Sequence, residues 1–342
     1  MTVRAGVGVS EHADAGTAFA EAASAAAVEL VGAPCTLAVV FAGAPHLGHG
    51  RAILDAVHAA LAPGELIGCG AGGVVGDRRE IEEGPAAVVW ALSAPEGTVA
   101  THVLETQAID AGLALGGMPE DPADYGDAML VLADPHTFSA DGLLLHLNQA
   151  RPGMPVLGGL ASAAAAGSAS LFCGHEVVDS GAVACSLRGI EVVPCVSQGA
   201  APVGPEMAVT AADGNIISEL ASQPALERIR EALGDLDDEE RELAGQGLLL
   251  GVVIDENQPE YERGDFLVRP IVGVHPENGA VAFGDRVRVG QTVRLHVRDG
   301  VSAGEDLDAA LDLSTAAMGA EGAAGALLFT CNGRGRHMFG FP

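Results

Sequence analysis

The sequence predicts an α/β fold: mixed β-sheets with packed helices, built from an internally duplicated strand-helix-strand-turn-strand unit, plus a second α/β domain. Two observations carry this expectation. Apolar runs ending in Pro-His recur as "LAVVFAGAPH" (37–46) and "AMLVLADPH" (128–136), so that Pro45 and Pro135 stand 90 residues apart. The runs "ELIGCGAGG" and "PVLGGLAS" come next in the same order, with Gly68 and Gly158 at the same separation. Self-similarity at a fixed spacing marks a repeated supersecondary unit that buries its apolar face against neighbours. Hydrophobic residues make up 49% of the chain and aromatic ones only 4%, so the cores are expected to be built from Ala, Val, Leu and Ile.

The first copy spans about 35–93. Its opening strand is followed by "GRAILDAVHAAL", where Ile53, Leu54, Val57 and Leu61 fall on one helical face, and it closes on the apolar strand "AAVVWALS" (86–93). The second spans about 127–187. Here Asp141 is expected to cap a helix presenting Leu143, Leu144 and Leu147, and "GAVACSL" (181–187) closes the unit. Within the first copy, Gly68, Gly70 and Gly73 have the GxGxxG spacing of a dinucleotide cradle. That cradle needs a helix whose first N–H groups face the pyrophosphate. After Gly73 the chain instead reads "VVGDRREIEEGPAAVVWAL", punctuated by Gly76 and Gly84 and ending in a strand, so the glycines read as a turn between strands. The acidic "REIEEG" reads as a solvated hairpin connection, with Glu80 or Arg78 placed to line a pocket at the same end.

Two domains are expected from the length, 1–220 carrying the repeat and 221–342. Around Asp213-Gly214 the pattern is that of a hairpin, followed by a short helix in "SQPALERIREALG" with Pro224 in its first turn and Gly234 at its end. "DLDDEEREL" reads as a solvated acidic face, and "GDRVRVGQTVRLHVRD" as a half-exposed hairpin through Val287, Val289, Val293, Leu295 and Val297. Leu307, Leu311, Ser314 and Met318 share a later helix. "ALLFTCNGRGRHMFG" then opens a buried strand resembling the starts of the two repeats, and the chain is expected to end inside an element.

The net charge is −29, and all 17 basic residues are Arg. Such a surface repels phosphate backbones and anionic lipid, so neither nucleic acid nor membrane is an expected partner. The start lacks a secretory layout and no apolar run approaches the roughly 20 residues of a membrane span, which together lead to an expected cytoplasmic location. Six cysteines without a CxxC pair suggest neither disulfides nor a metal site, and no cofactor is expected. GxSxG, SxxK, HExxH and GxxxxGK[ST] are all missing, so the chain is not expected to be an enzyme. The alternatives are a Cys/His-based enzyme, with Cys69 or Cys331 near His136, or a protein-interaction scaffold.

"LIGCGAGGVVGDRREIEEGPAAVVWALS", "PVLGGLAS" with "SGAVACSL", "SQGAAPVGPEMAVTAADGNIISELASQPALERI", "GDFLVRPIVGVHPENGAV" and "ALLFTCNGRG" run through nearly the whole chain. In that order they resemble the FIST family of sensory domains, in both its N-terminal and C-terminal parts. The resemblance implies an intracellular signal-transduction module that binds small ligands such as amino acids, with a signalling protein as partner and no established catalytic residues. It also implies a C-terminal part that continues past "CNGRGRHMFGFP", which makes this one look truncated.

Strand carboxyl ends in α/β folds gather loops and helix amino termini, and ligands bind there. Repeat logic selects Pro45-His46, Asp134 with His136, and Asn332, Gly333 and Arg334. Arg334 is expected to meet a ligand carboxylate as a bidentate fork, with the turn glycines Gly72, Gly73, Gly158 and Gly159 lining the cleft. His46 and His49 hint at a metal, but two imidazoles lack a third partner.

Overall fold

Strands apolar at every position, such as Ala-Met-Leu-Val-Leu-Ala, must be covered on both faces, and in this chain they form the centres of two stacked sheets. The computed structural model describes residues 2–109, 112–162, 170–319 and 322–340. By its internal contacts the chain divides into Met1–Pro194 with Met318–Gly335, and Cys195–Ala317 with Arg336–Phe341.

The first unit begins with β1 (Arg4–Ser10) and α1 (Ala15–Glu29), then β2 (Leu37–Gly43), α2 (Gly50–Leu61), β3 (Glu65–Ala71), a small hairpin of β4 (Val74–Gly76) and β5 (Arg79–Ile81), and β6 (Ala87–Ser93). After β7 (Thr98–Ile109) and β8 (Gly112–Gly116) come β9 (Ala128–Ala133), α3 (Ala140–Ala150), β10 (Val156–Leu160), β11 (Leu171–Cys173), β12 (Glu176–Val178) and β13 (Ala182–Arg188). One sheet has the order β1-β6-β2-β3-β11-β12 and the other β10-β9-β13-β7-β8. β2 is parallel to β3 and antiparallel to β6, just as β9 is parallel to β10 and antiparallel to β13. The duplication seen in the sequence is therefore a duplication of hydrogen-bonded neighbours.

Period-two alternation within these strands builds the layers. Leu37, Val39, Ile67 and Leu92 of one sheet meet Leu130, Leu132, Val183 and Leu187 of the other in a shared core. The opposite face of the first sheet, with Ala38, Val40 and Val89, lies under α1 and α2. That of the second, with Met129, Val131 and Ala184, lies under Leu143 and Leu147 of α3. Leu144, expected on the same face, is exposed because its position, one residue on from Leu143, is turned away from that face. Two glycines set how closely α1 approaches: a Cβ on Gly8 would stand 1.9 Å from the Ala22 carbonyl oxygen, and one on Gly6 2.3 Å from that of Ala26. The Ala-rich face of α1 thus rests directly on the backbone of β1.

After Gly73 the chain forms the β4–β5 hairpin and no helix, so the dinucleotide cradle is absent as the sequence led us to expect. The cap of α3 differs from expectation. Ser139, not Asp141, is the N-cap, its hydroxyl accepting from the Gly142 N–H at 3.2 Å. Residues 326–331 form no described strand and are exposed or half-buried, because Leu327 and Phe329 pack on the shared core by side chains alone.

The second unit contains β14 (Ala200–Asp213), β15 (Ile216–Leu220), β16 (Gln223–Pro224), α4 (Ala225–Gly234), α5 (Asp238–Gln246), β17 (Leu248–Val253), β18 (Phe266–His275), β19 (Ala280–Phe283), β20 (Thr292–Arg298), α6 (Gly300–Met318) and the short α7 (Arg336–Phe339). The sheet order is β14-β20-β17-β18-β19-β15-β16, and β14 also pairs with β15, so six strands close into a barrel. β14 can serve both neighbours because its register shifts between Val203 and Glu206 and again near Val209, with Gly204 at φ 63° in the first bend. Val203, Leu250, Phe283 and Leu295 fill the core beneath Ile229 of α4. The stretch 285–298 is not the hairpin its alternation suggested: only Thr292–Arg298 is a strand, central between β14 and β17, with His296 buried.

Candidate functional site

In the first unit β10 is the edge strand of its sheet, and its Leu160 lines a cleft together with Phe41, Cys69, Val88 and Trp90 from the inner face of the first sheet. The β4–β5 hairpin lies over the upper end of this face, where Val74 packs with Val88 and Val7, and Gly76 is close enough that a Cβ would stand 2.6 Å from a Val9 methyl. Residues 324–332 run over the lower end. Gly325 makes this approach possible, since a Cβ there would be 2.5 Å from Ala5 Cβ and 3.3 Å from the Trp90 indole nitrogen. The cleft between hairpin, edge strand and covering segment measures about 670 Å³. Its apolar walls are Phe41, Trp90, Leu132, Leu160, Leu327 and Phe329, with Phe41 and Phe329 edge to face at 6.2 Å.

The ends of β3 and β10, one from each repeat, meet at its rim; Gly158 and Gly159, expected in a turn, lie within strand β10 because they pair with Val131 and Leu132. The Gly72 N–H donates to the Ser162 hydroxyl at 2.9 Å, and the Ser162 N–H donates back to the Gly70 carbonyl at 3.2 Å. Asn332 approaches the same turn, its amide nitrogen 3.5 Å from where a Cβ on Gly72 would stand. Gly159 faces the Phe329 ring at 3.4 Å by the same measure. A smaller hollow of about 260 Å³ adjoins the same glycines, lined by Gly43, Pro45, Gly72, Gly73 and Glu82.

Gly72, Gly73, Gly159 and Asn332 are thus brought together on the cleft. Gly158 is not among the lining residues: it sits at φ 138° where a Cβ would be 1.8 Å from the Val131 carbonyl oxygen. Gly68, its counterpart, stands in the same relation to Val40 at 2.4 Å, so this pair lets parallel strands approach. Asp134 is buried in the turn after β9, accepting from the His136 N–H at 3.0 Å and the Thr137 hydroxyl at 2.6 Å, while the His136 side chain is exposed. Neither lines the cleft. Gly333 and Arg334 also lie outside the lining, although Asn332 and Gly335 on either side belong to it; Arg334 is half-buried and engaged by another residue. Sequence reasoning passed over Trp90, Phe41 and Phe329, whose signal was hidden inside ordinary apolar runs.

Titratable groups nearby behave as burial dictates. Cys69 lines the cleft with its thiol turned into the shared core, and burial pushes its pKa up to about 12. A thiol held neutral is a poor nucleophile. Cys331 is exposed at the cleft. His46 is fully buried beside Phe19, with neither ring nitrogen hydrogen-bonded among the described residues, and burial first, then His49, lowers its pKa. No group of three or more metal-ligating side chains occurs among the described residues.

A duplicated, glycine-rimmed α/β sandwich joined in one chain to a closed barrel defines a two-part domain class, and the family models place it. The FIST N domain matches residues 36–223 and the FIST C domain residues 225–340, so the chain belongs to the FIST family. FIST domains are sensory domains of signal transduction. The chain is similar to uncharacterized protein Rv0628c of Mycobacterium tuberculosis, 40% identical over 339 residues, covering 99% of this chain and 88% of the relative. It is similar also to uncharacterized protein Mb0898c of Mycobacterium bovis, 41% identical over 341 residues, covering 99% and 87%. No described helix is long and apolar enough to cross a membrane.

Proposed function

We propose that this chain is an intracellular sensory module that takes a small molecule, an amino acid or related small carboxylate, into the cleft of its first unit and reports occupancy to a signalling protein partner. The cleft itself carries the reading. At about 670 Å³ it falls in the range of small-molecule sites, roughly 300–1,000 Å³, and it pairs apolar walls with a few polar groups. Gly72-Gly73 from the turn after β3 and Gly159 from strand β10, one stretch from each repeat, form its rim together with Asn332. Without side chains these glycines let a ligand come against the backbone.

A thermal-shift screen over amino acids and small carboxylates tests this, run on the wild type and on Gly159→Leu, whose side chain enters the cleft. A ligand at one hundred times its Kd stabilises by about 2.7 kcal/mol, a rise of several degrees in Tm. The expected result is a set of compounds that raise Tm in the wild type and lose the effect in the variant. Equal shifts in both proteins, or none in the wild type, would overturn the proposal.

A further inference from the structure

We propose that Arg78 is the anion anchor of the cleft, and that the ligand is a monocarboxylate with an aromatic or similarly bulky apolar body. This rests on the cleft being the ligand site and adds the chemistry of what it takes. Among the described residues Arg78 is the only cationic one lining the cleft, in a chain of net charge −29. Its side chain is exposed and makes no hydrogen bond or ion pair among the described residues. Its neighbour Arg79, on the same hairpin, is held by Glu11 at 3.1 Å.

The turn that presents Arg78 is itself unusual. Asp77 and Arg78 occupy the two corner positions of the β4–β5 hairpin with φ 47° and 62°, in the left-handed region where Asn-Gly is the common choice. A guanidinium is thereby kept, against local preference, on the lining of a cleft with aromatic walls. Arg meets a carboxylate as a planar two-donor fork. Across the cleft the walls are Trp90, Phe41 and Phe329, which match an aromatic body.

The remaining charges disfavour a second negative group. Glu29, Asp77, Glu80 and Glu82 also line the cleft, and Glu80 and Glu82 already interact with other residues. A second carboxylate or a phosphate would face these like charges with no further cation of the described lining to meet it.

Trp90 is the chain's only tryptophan, so its emission reports on the cleft without labelling. The probes are 4-phenylbutyrate, its neutral amide 4-phenylbutyramide, and phenylsuccinate, titrated into the wild type, Arg78→Gln and Gly159→Leu, with circular dichroism checking that each variant is folded. We expect saturable change in Trp90 emission with 4-phenylbutyrate, a Kd raised about tenfold or more in Arg78→Gln, and weak binding of amide and dicarboxylate. Equal affinity for acid and amide, or an unchanged Kd in Arg78→Gln, would overturn the anchor while leaving the cleft as the ligand site. No saturable change with any probe would overturn the aromatic-acid class. Only failure of the thermal-shift screen as well would remove the cleft reading beneath it.

Discussion

Cys69 and Cys331 line one cleft, yet their surroundings give them opposite chemistry. Cys69 is 4% exposed with its thiol raised to about 12 by burial, whereas Cys331 is exposed. Under native conditions iodoacetamide should therefore modify Cys195 and Cys331 and spare Cys35, Cys69 and Cys185, as peptide mass spectrometry can show; rapid alkylation of Cys69 would contradict its burial. In the barrel, His296 donates through Nδ1 to the Arg294 carbonyl at 3.0 Å, and burial lowers its pKa to about 4 from 6.5. The unfolded chain then holds the extra proton between those values, so stability is full above about pH 6.5 and falls as pH drops toward 4. A shift of that size corresponds to about 3 kcal/mol. Urea unfolding at pH 7 and pH 5 should show the loss in the wild type and a smaller loss in His296→Gln. At this scale the sequence was legible for types and little else. Gly72, Gly73, Gly159, Asn332, Arg78 and Glu80 could be picked out as cleft residues, but nothing in the chain tells Gly158, serving a strand contact, from Gly159 beside it.

At the scale of elements, small residues decide the packing. Gly8→Ala would drive a methyl into the Ala22 carbonyl, and the helix must lift to relieve it. We expect a loss of about 1–3 kcal/mol by denaturant unfolding, and a stability unchanged within error would show that α1 does not rest on β1 as described. Ser139→Ala should cost α3 about 1 kcal/mol through its lost cap, while Asp141→Ala should cost less. The repeated strand-helix-strand pattern was readable because its strands are apolar nearly throughout and α2 keeps its apolar residues Ile53, Leu54 and Val57 on one face. The Leu-Leu-Leu run of α3, by contrast, hid which leucines are buried. Helix α1 escaped notice because its Ala-rich sequence is nearly as apolar on one face as the other. The run at 326–331 misled for a related reason. Apolar content announces burial, but not whether it is won by backbone pairing or, as with Leu327 and Phe329, by side chains alone.

For the whole molecule, the duplication does more than build a core. It brings the ends of two related strands, β3 and β10, to one rim, where Ser162 is hydrogen-bonded to both Gly70 and Gly72, some 90 residues earlier in the sequence. The cleft beyond them draws on β1, β6, the β4–β5 hairpin, β10 and residues 324–332. Its polar anchor and its aromatic wall therefore come from segments with no shared local pattern, which is why repeat logic pointed to strand ends in general and missed Trp90. The most direct measurement is a crystal structure with the compound that gives the largest thermal shift. Ligand density against Trp90 and Gly159, with a carboxylate on Arg78, is the predicted result; density for the same compound elsewhere, with this cleft empty, would contradict the account.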